Sequence, residues 1–452
     1  MYKIKNLFPF LGSIFVFHEC TKVAVMKSSI LIFRIHSNCH AYPIVRLLVM
    51  KNNSVNNQPR QFETIAGVSD QSSQYVQMKN LIVSRIHNLL SDNGFDLVDY
   101  PVLEPTELYV RKSGGGISDR LYSFTDPGGN EVSLRPEFTS SVIRSYLNEF
   151  RKLDKIIKRQ YYGPVFRYSD LSPGTSLRQF TQQGCEIIGP GQVDTDAEIL
   201  RLAIDSIGST GTHSLLVRIG NVGAIRELLY SHGLSEAICL YVISNVHNVL
   251  KGDASPESIS LRATELGLIH LDPSKPVDCN EDSSRSDLIN LVESLMAKNL
   301  SDNIGRRTTD EIVDRLLEKR ENRISVETFD NALNDLIGFL KNMTGIYENL
   351  ISQNNVSPFE KKQRVYLDKL ISSVNSNIDR DVEIKYELNF APERGLLYYT
   401  GVLFDISMEI NNTQVVLGGG GRYDGLVKSL GGAHDVDAVG FAINVDAVLA
   451  NS

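Results

Sequence analysis

The sequence predicts an α+β fold in which a mostly antiparallel sheet is flanked by helices and interrupted by a helical insertion. Short apolar strand candidates cluster in two blocks of the chain, and a long, charged helical stretch separates the blocks. Helices and strands do not alternate regularly within the blocks. Regular alternation is typical of a doubly wound parallel sheet, so an antiparallel sheet with flanking helices fits better.

The first block combines two predicted helices with four strand candidates. Apolar residues recur at helical spacing from Tyr75 to Leu90, and Gly94 supplies a stop. A second helix is predicted from Asp194 to Ile207, with acidic residues in its first turn. The strand candidates are NEVSLRP, QYYGPVFRYS, GCEIIG and SLLVRIG.

The rest of the chain predicts a core built from two separate parts. Residues 221–378 are predicted to form the helical insertion, which a polar stretch from Asp272 to Ser286 interrupts. Strand candidates then return as VEIKYELNF, YYTGVLFDISMEI, TQVVLGGG and AVGFAIN. We therefore expect a core formed by residues 61–220 and 379–452.

The first 60 residues differ in composition from the rest, with eight Lys or Arg and one acidic residue, Glu19. Targeting segments are basic and poor in acids, so a targeting role is one interpretation. The other is an over-extended start, since Met50 opens a polar run, KNNSVNNQPRQ, that resembles an ordinary N-terminus. This extension is left unassigned.

Bulk properties exclude several classes of function. The net charge is −8, so no global basic field attracts the chain to nucleic acid. Five scattered cysteines form no C-x-x-C pair, so no metal site is expected and a cytoplasmic, reducing location fits. No apolar run approaches the roughly 20 residues that a membrane span needs, so no membrane association is expected.

The stretch SLRPEFTSSVIRSYL places polar side chains at a strand-to-helix junction. Arg135 and Glu137 precede the predicted helix, and Thr139 lies near its start. The alternative interpretation is a capped helix with a surface ion pair.

The stretch from Tyr161 to Gly189 reads as a hairpin. Arg167 ends its first strand, and Gln182 and Glu186 lie four residues apart on its second strand, on one face. An arginine, an amide and a carboxylate on one face could hold a zwitterion or a phosphate. A solvated sheet face is the alternative.

Two further stretches complete the candidate site. FAPERGLLYYTGVLFDI offers Arg394 before the paired Tyr398 and Tyr399, which could equally be core residues. The glycine run Gly418–Gly421 predicts a bulge or a close backbone approach and matches neither a Walker loop nor a dinucleotide fingerprint. The apolar strand and helix start GFAINVDAVL that follow resemble a phosphate-binding end without a cation.

These motifs, in this order, resemble the histidyl-tRNA synthetase catalytic domain, which has a class II aminoacyl-tRNA synthetase core. The matching motifs are EPTELYVRKSG, LRPEFT, GPVFRY, RQFTQQGCEIIG, RGLLYYTG, GGGGRYDGLV and VGFA. The resemblance extends from about Phe62 to Ala450 and is weakest in the helical middle.

The resemblance also reveals departures in the ATP site. The family's last motif reads GFAxGxER, and its arginine, which grips the γ-phosphate, is replaced here by Ala447. The glutamate that helps to hold adenine is replaced by Ser169, and a loop arginine by Thr175. A methyl group cannot replace the stabilisation of phosphate by arginine.

Other departures lie beside the amino-acid pocket and at the end of the chain. LRPEGT is LRPEFT here, so Phe138 adds bulk, while Leu397 replaces an aspartate and Gly401 an arginine. Ser452 follows the last motif closely, so neither an anticodon-binding domain nor tRNA binding is expected.

These features resemble the regulatory subunits of ATP phosphoribosyltransferase, which lack catalytic residues and support a short catalytic subunit in the first step of histidine biosynthesis. The resemblance implies a homodimer, a hetero-oligomer with that catalytic subunit, a part in histidine feedback, and no cofactor. The alternatives are a degenerate histidyl-tRNA synthetase without an anticodon-binding domain and a histidine- or RNA-sensing module.

The resemblance further implies that the histidine pocket is retained. Glu137, Thr139 and Gln182 match residues that hold the α-amino group, and Glu186 and Tyr399 match residues that contact the imidazole. The expected histidine-binding residues are Glu137, Thr139, Arg167, Gln182, Glu186, Arg394, Tyr398 and Tyr399. No catalytic residue is expected.

Overall fold

A computed structural model of the chain describes ten segments of the backbone and side chains. They are residues 62–113, 120–150, 155–169, 177–189, 195–270, 324–353, 356–378, 382–390, 398–411 and 413–451, with side chains omitted at 112–113. Thr175, Arg394 and Leu397 lie outside the described residues, as does nearly all of the 1–60 extension.

The chain forms two compact units, Met1–Glu63 and Thr64–Ser452. In the first unit the structure gives the backbone of two antiparallel strands, β1 (Val23–Met26) and β2 (Ile30–Phe33). The unassigned status of the N-terminal extension stays a prediction.

The second unit has fourteen strands among its described residues, of which eight lie at predicted positions and six, each of two or three residues, were not predicted. In chain order they are β3 (Asp96–Leu97), β4 (Leu103–Pro105), β5 (Ser123–Thr125), β6 (Glu131–Leu134), β7 (Ile157–Phe166), β8 (Gln179–Ile188), β9 (Ser214–Asn221), β10 (Ile269–His270), β11 (Ile324–Ser325), β12 (Gly345–Ile346), β13 (Glu383–Leu388), β14 (Val402–Ile410), β15 (Thr413–Arg422) and β16 (Ala438–Asn444).

Helices surround these strands. They are α1 (Ser73–Asp92), α2 (Thr106–Ser113), α3 (Thr139–Glu149), α4 (Thr195–Gly208), α5 (Val222–Ser231), α6 (Glu236–Lys251), α7 (Pro256–Glu265), α8 (Val326–Asn342), α9 (Tyr347–Ile351), α10 (Pro358–Ser376), α11 (Gly425–Ser429) and α12 (Val445–Leu449). The α1 helix starts where the Ser72 hydroxyl accepts the Tyr75 amide and stops before Gly94, whose φ is +82°.

The large sheet confirms the predicted α+β class. Within the described residues it has nine strands in the order β12-β13-β9-β14-β15-β16-β8-β7-β3. The six strands from β9 to β7 pair antiparallel with one another. Outside them, β13 pairs with β9 and β3 pairs with β7 in parallel. A smaller antiparallel sheet, β4-β6-β5, carries the chain into α3.

The helical stretch connects two neighbouring strands of the large sheet. β9 ends at Asn221, and β13 returns beside it in parallel, with Ser214 opposite Glu383. A parallel pair requires a crossover of this kind, and here α5–α10 lie within it. The described part of 221–378 is mainly helical, and its status as a separate insertion domain stays a prediction.

The apolar residues of the second unit pack into two clusters. The larger cluster joins α1, α4 and the crossover helices to one face of the sheet. The smaller cluster gathers α3, β7 and the chain after β15, and it includes Phe138, Tyr161 and Tyr423. The candidate site lies against the smaller cluster.

Candidate functional site

Glu186 on β8 lies at the centre of the candidate site and is 1% exposed. Its Oε1 accepts the Thr139 hydroxyl at 2.6 Å and the Tyr161 hydroxyl at 3.0 Å. Its Oε2 accepts the hydroxyl of Tyr423. Three hydroxyl groups from three parts of the chain therefore hold one carboxyl group, which rules out the solvated sheet face for this residue.

Burial sets the acidity of this carboxyl group. The pKa of Glu186 is raised from 4.5 to about 7, mainly by desolvation on burial and to a smaller extent by the charge of Glu137. Hydrogen bonds from Thr139, Tyr423 and Tyr161 oppose the rise because they favour the charged form. Near neutral pH the group is therefore poised to ionise when a cation or an N–H donor approaches it.

Two glycines make room for this arrangement. A Cβ atom on Gly440, which pairs with Glu186 across β16 and β8, would lie 1.5 Å from Glu186 Oε2. A Cβ atom on Gly184 would lie 2.9 Å from the Tyr161 hydroxyl and 2.1 Å from the Phe441 carbonyl oxygen. Any larger residue at either position would displace the carboxyl group or its hydroxyl donor.

Glu137 and Gln182 add buried polar groups near Glu186. Glu137 is 9% exposed, and its carboxylate accepts the Ser140 amide at 3.2 and 3.3 Å, at the start of α3. Gln182 is 7% exposed, and its Oε1 has no hydrogen-bond partner among the described residues. A buried amide oxygen without a partner is a ready acceptor for a ligand amine.

Tyr398 and Tyr399 also lie at this site. Their rings are 4.6 Å apart, and the Tyr398 ring lies 6.1 Å from that of Tyr423, the donor to Glu186. Burial, followed by the charge of nearby acidic groups, raises the pKa of Tyr398, so it stays protonated near neutral pH. Tyr398 and Tyr423 therefore form an aromatic wall beside the carboxyl group.

Of the two arginines predicted for the site, the structure describes only Arg167. Arg167 lies near the start of α3, where its Nε donates to the Pro136 carbonyl oxygen at 2.8 Å and its guanidinium stands 5.2 Å from the Phe180 ring. Arg394 lies outside the described residues. Of the eight predicted site residues, the structure thus brings Glu137, Thr139, Tyr398 and Glu186 together most directly.

The predicted phosphate-binding end contains a buried carboxylate. Asp446 is 2% exposed; its Oδ1 accepts the Tyr75 hydroxyl at 2.6 Å, and its Oδ2 accepts the Thr181 amide. Ala447 follows in α12, where its amide is capped by Asn444 Oδ1 at 3.1 Å. Asp446 stands where the family motif has its glutamate, so the departure at this end is the loss of the arginine at Ala447.

The structure also describes the contacts of three other residues that differ from the family motifs, Ser169, Gly401 and Phe138. The Ser169 hydroxyl is buried and has no hydrogen-bond partner in the described part of the chain. Gly401 lies under Arg422, since a Cβ atom there would be 2.9 Å from Arg422 Cδ. Phe138 is fully buried and stacks on Tyr161, with ring centroids 4.4 Å apart.

The alternative interpretation of a surface ion pair at the strand-to-helix junction is wrong for Arg135. Arg135 is 2% exposed, donates from Nη1 to the Tyr100 carbonyl oxygen at 2.6 Å, and donates from Nε to the Pro164 carbonyl oxygen at 2.9 Å. Glu137 does satisfy an amide at the start of α3, as the capping interpretation expects. The arginine is therefore a buried structural group rather than a solvated one.

The glycine run Gly418–Gly421 allows a close approach of two backbones, as predicted, but the neighbour is the adjacent strand of the protein rather than a ligand. A Cβ atom on Gly420 would lie 2.2 Å from the Gly440 carbonyl oxygen of the adjacent strand. The register of β14 and β15 also shifts between Ile406 and Ser407, as a bulge does. The glycines thus let β15 and β16 pack closely behind Glu186.

Sequence reasoning missed Tyr161, Tyr423, Gly440 and Tyr75 as members of the site. Tyr423 and Gly440 are within motifs quoted for the resemblance, and Tyr161 is within a strand candidate, but their roles depend on the register of β7, β8 and β16. Within the described residues, no group of three or more His, Cys, Asp or Glu could hold a metal ion, and no helix is long and apolar enough to cross a membrane.

Solved structures with this architecture define the class of the fold. One is an ATP phosphoribosyltransferase regulatory subunit/histidyl-tRNA synthetase from Bacillus halodurans C, with a TM-score of 0.56, 21% identity, and coverage of 87% of this chain and 84% of that one. Another is a histidine–tRNA ligase subunit from Alicyclobacillus acidocaldarius, with a TM-score of 0.52, 21% identity, and coverage of 87% and 98%. The fold is that of the class II synthetase-like proteins.

The family model described as histidyl-tRNA synthetase matches residues 67–247 and 288–448. The chain therefore belongs to the histidyl-tRNA synthetase family. It is similar to the histidine–tRNA ligase of Methanococcus vannielii, at 28% identity over 393 residues, 86% of this chain and 76% of the relative. That of Methanocaldococcus jannaschii is also 28% identical, over 390 residues, again 86% and 76%.

Proposed function

We propose that this protein binds histidine without activating it and acts as the regulatory subunit of an ATP phosphoribosyltransferase. In this role it binds a short catalytic subunit, supports that subunit's reaction and takes part in histidine feedback. The single observation that carries the proposal is Ala447 in the first turn of α12, where the family resemblance requires a phosphate-binding arginine.

The argument for histidine rests on the buried acceptors of the site. Glu186 already receives three hydroxyl donors, and a carboxylate offers about four acceptor positions, so one position remains for an imidazole N–H. Glu137 and the unpartnered Gln182 Oε1 suit a charged α-amino group. Arg167, Arg394, Tyr398, Tyr399 and Thr139 complete the proposed pocket.

The argument against activation rests on electrostatics. Formation of an aminoacyl-adenylate needs cations that stabilise the ATP phosphates. Ala447 offers no cation at this end, and Asp446 beside it, which stands where the family motif has its glutamate, is bound by Tyr75 and Thr181. Ser169 replaces the adenine-holding glutamate as well, so both ends of an ATP molecule lack a partner that the family provides.

The argument for the partner rests on the likeness in fold to one solved protein, together with the departures in the ATP site. The Bacillus halodurans protein with this fold is named for ATP phosphoribosyltransferase regulation as well as for the synthetase. We propose a homodimer as the basic unit, in line with the two-fold symmetry common among oligomers, which joins the catalytic subunit and does not bind tRNA.

The test combines calorimetry with an exchange assay. We expect histidine to bind the wild-type protein, and Glu186→Gln to weaken binding by about 5- to 150-fold, because an unsatisfied buried group costs about 1–3 kcal/mol. Tyr347→Phe is the control, since the Tyr347 hydroxyl donates to the exposed Asp368 rather than to a residue of the site. The absence of heat with millimolar histidine would show that the pocket is vestigial.

A histidine–tRNA ligase is the second candidate, favoured by the curated relatives at 28% identity. It predicts histidine-dependent exchange between ATP and pyrophosphate. Exchange clearly above a control without protein would establish an enzyme and overturn the non-catalytic proposal. A third candidate, a histidine- or RNA-sensing module, predicts histidine binding with no effect on a phosphoribosyltransferase.

A further inference from the structure

Phe138 lies between a buried cation and the hydroxyl donor of the site. Its side chain is fully buried, and the Arg135 guanidinium carbon lies 4.1 Å from its ring centroid. On the other side the Tyr161 ring lies 4.4 Å away and is inclined by only 15°. Arg135, Phe138 and Tyr161 thus form a stack that ends beside Glu186, in which the two aromatic rings are nearly parallel.

Both ends of this stack are fixed. Arg135 is tied to the carbonyl oxygens of Tyr100 and Pro164 at 2.6 and 2.9 Å. Tyr161 donates from its hydroxyl to Glu186 Oε1 at 3.0 Å. A flat ring between them resists sliding and rotation of the tyrosine in a way that an aliphatic side chain cannot.

We propose that Phe138 is a positioning residue that holds the Tyr161 hydroxyl on Glu186 and so orients that carboxylate toward the N–H of a flat cationic ring, an imidazolium. The identity of the ring rests on the proposed function, whereas the positioning of Glu186 does not. Phe138 itself is fully buried beneath the site, and it acts through Tyr161.

Phe138 is one of the positions at which this chain departs from the family motif. The matching motif has a glycine at this position, which would leave Tyr161 without a stacking partner on this side. Close packing around the ring confirms that the space is filled, since a Cβ atom on Gly163 would lie 3.3 Å from Phe138 Cζ. The substitution has therefore become part of the hydrogen-bonding geometry of Glu186.

The first test follows the protonation of Glu186 in the ligand-free protein. Infrared difference spectroscopy would track the band of the protonated carboxyl group that Glu186→Gln removes. The surrounding titratable groups are Glu137, Tyr100, Tyr161, Tyr398, Tyr423 and Cys185. Burial raises the pKa of each of these tyrosines and of the thiol, so these groups stay protonated while Glu186 titrates.

Phe138→Leu is expected to raise the titration midpoint of Glu186 by about one pH unit, because the ionised form loses a hydrogen-bond donor. Tyr161→Phe removes that donor directly and should give the same shift. Phe150→Leu is the control, since Phe150 packs on the same apolar cluster but contacts Tyr146 instead. Phe138→Met serves as a second variant if the leucine protein does not fold.

The second test is a double-mutant cycle on histidine affinity. If Phe138 acts through Tyr161, each single substitution and the pair should weaken binding by a similar factor of about ten, rather than by about a hundred for the pair. Multiplying effects, or an unchanged Glu186 midpoint in folded Phe138→Leu and Phe138→Met proteins, would overturn the positioning role. A shifted midpoint without histidine binding would support the positioning role and reject the proposed function.

Discussion

The Tyr75 hydroxyl donates a 2.6 Å hydrogen bond to Asp446 Oδ1, across 371 positions of the chain. The bond joins α1, near the start of the second unit, to α12 at its end. The same carboxylate also accepts the Thr181 amide and the Gln71 side-chain amide. The carboxylate at the predicted phosphate end is therefore part of the protein's own structure.

Loss of the Tyr75 hydroxyl should destabilise the second unit. We expect Tyr75→Phe to lower the free energy of unfolding by about 1–2 kcal/mol, because a hydrogen bond to a charged group stabilises more than a neutral one. Urea denaturation measures this difference. Tyr347→Phe, which removes a hydrogen bond to the exposed Asp368, should cost less; equal losses would contradict a special role for the Tyr75–Asp446 bond.

Gly440→Ala should disrupt the site more than its size implies. The added Cβ atom would lie 1.5 Å from Glu186 Oε2 and 2.5 Å from the Cys185 carbonyl oxygen. We expect a loss of about 1–3 kcal/mol in stability from overpacking and a loss of at least about tenfold in histidine affinity.

Gly338→Ala is the matched control for this substitution. Gly338 lies in α8, and a Cβ atom there would meet nothing within 4 Å. Alanine should stabilise this helix by about 0.5–1 kcal/mol and leave histidine affinity unchanged. Unaltered affinity in the Gly440→Ala protein would show that Glu186 does not bind the ligand.

Stability should depend on pH through Glu186. The folded protein raises the pKa of this group from 4.5 to about 7, so it holds the proton more tightly than the unfolded chain. The resulting stabilisation is complete below pH 4.5 and is lost as the pH rises through about 7, on the order of 3 kcal/mol in total.

Glu186→Gln removes this titration and provides the comparison. Urea midpoints at pH 5 and pH 8 should show the wild-type protein losing stability relative to the variant as the pH rises. Parallel pH dependences for the two proteins would mean that Glu186 is not held in its neutral form.

Restoring the missing arginine should not restore activation of histidine. Ala447→Arg places a cation in the first turn of α12, beside the buried Asp446. Because Ser169 still replaces the adenine contact, we expect exchange between ATP and pyrophosphate to stay at the background level. Measurable exchange in this variant would show that the lost arginine alone separates the protein from an active synthetase.

The sequence predicted the elements of the core well because its strands carry strong local patterns. The hairpin of β7 and β8, the α1 helix with its stop at Gly94, and the late strands β13–β16 all follow apolar spacing and glycine punctuation. The antiparallel arrangement also followed, since regular helix–strand alternation is missing.

Long-range contacts of the site were harder to predict. Tyr161, Tyr423 and Gly440 meet Glu186 only because of the register of neighbouring strands, which local patterns do not specify. A surface position for Arg135 remained an open alternative, because its burial depends on carbonyl groups that other parts of the chain contribute. The predicted histidine-binding residues came from the resemblance to known motifs, because apolar periodicity does not identify the residues of a site.

The central claim is tested most directly by measuring phosphoribosyl transfer from phosphoribosyl pyrophosphate to ATP by a short catalytic subunit, with and without this protein. We predict activity that depends on this protein and that histidine changes by about 5- to 150-fold, the usual range of allosteric coupling of about 1–3 kcal/mol. Glu186→Gln should preserve assembly and remove the response to histidine. Equal activity with and without this protein, together with separate elution of the two chains at micromolar concentration, would contradict the account.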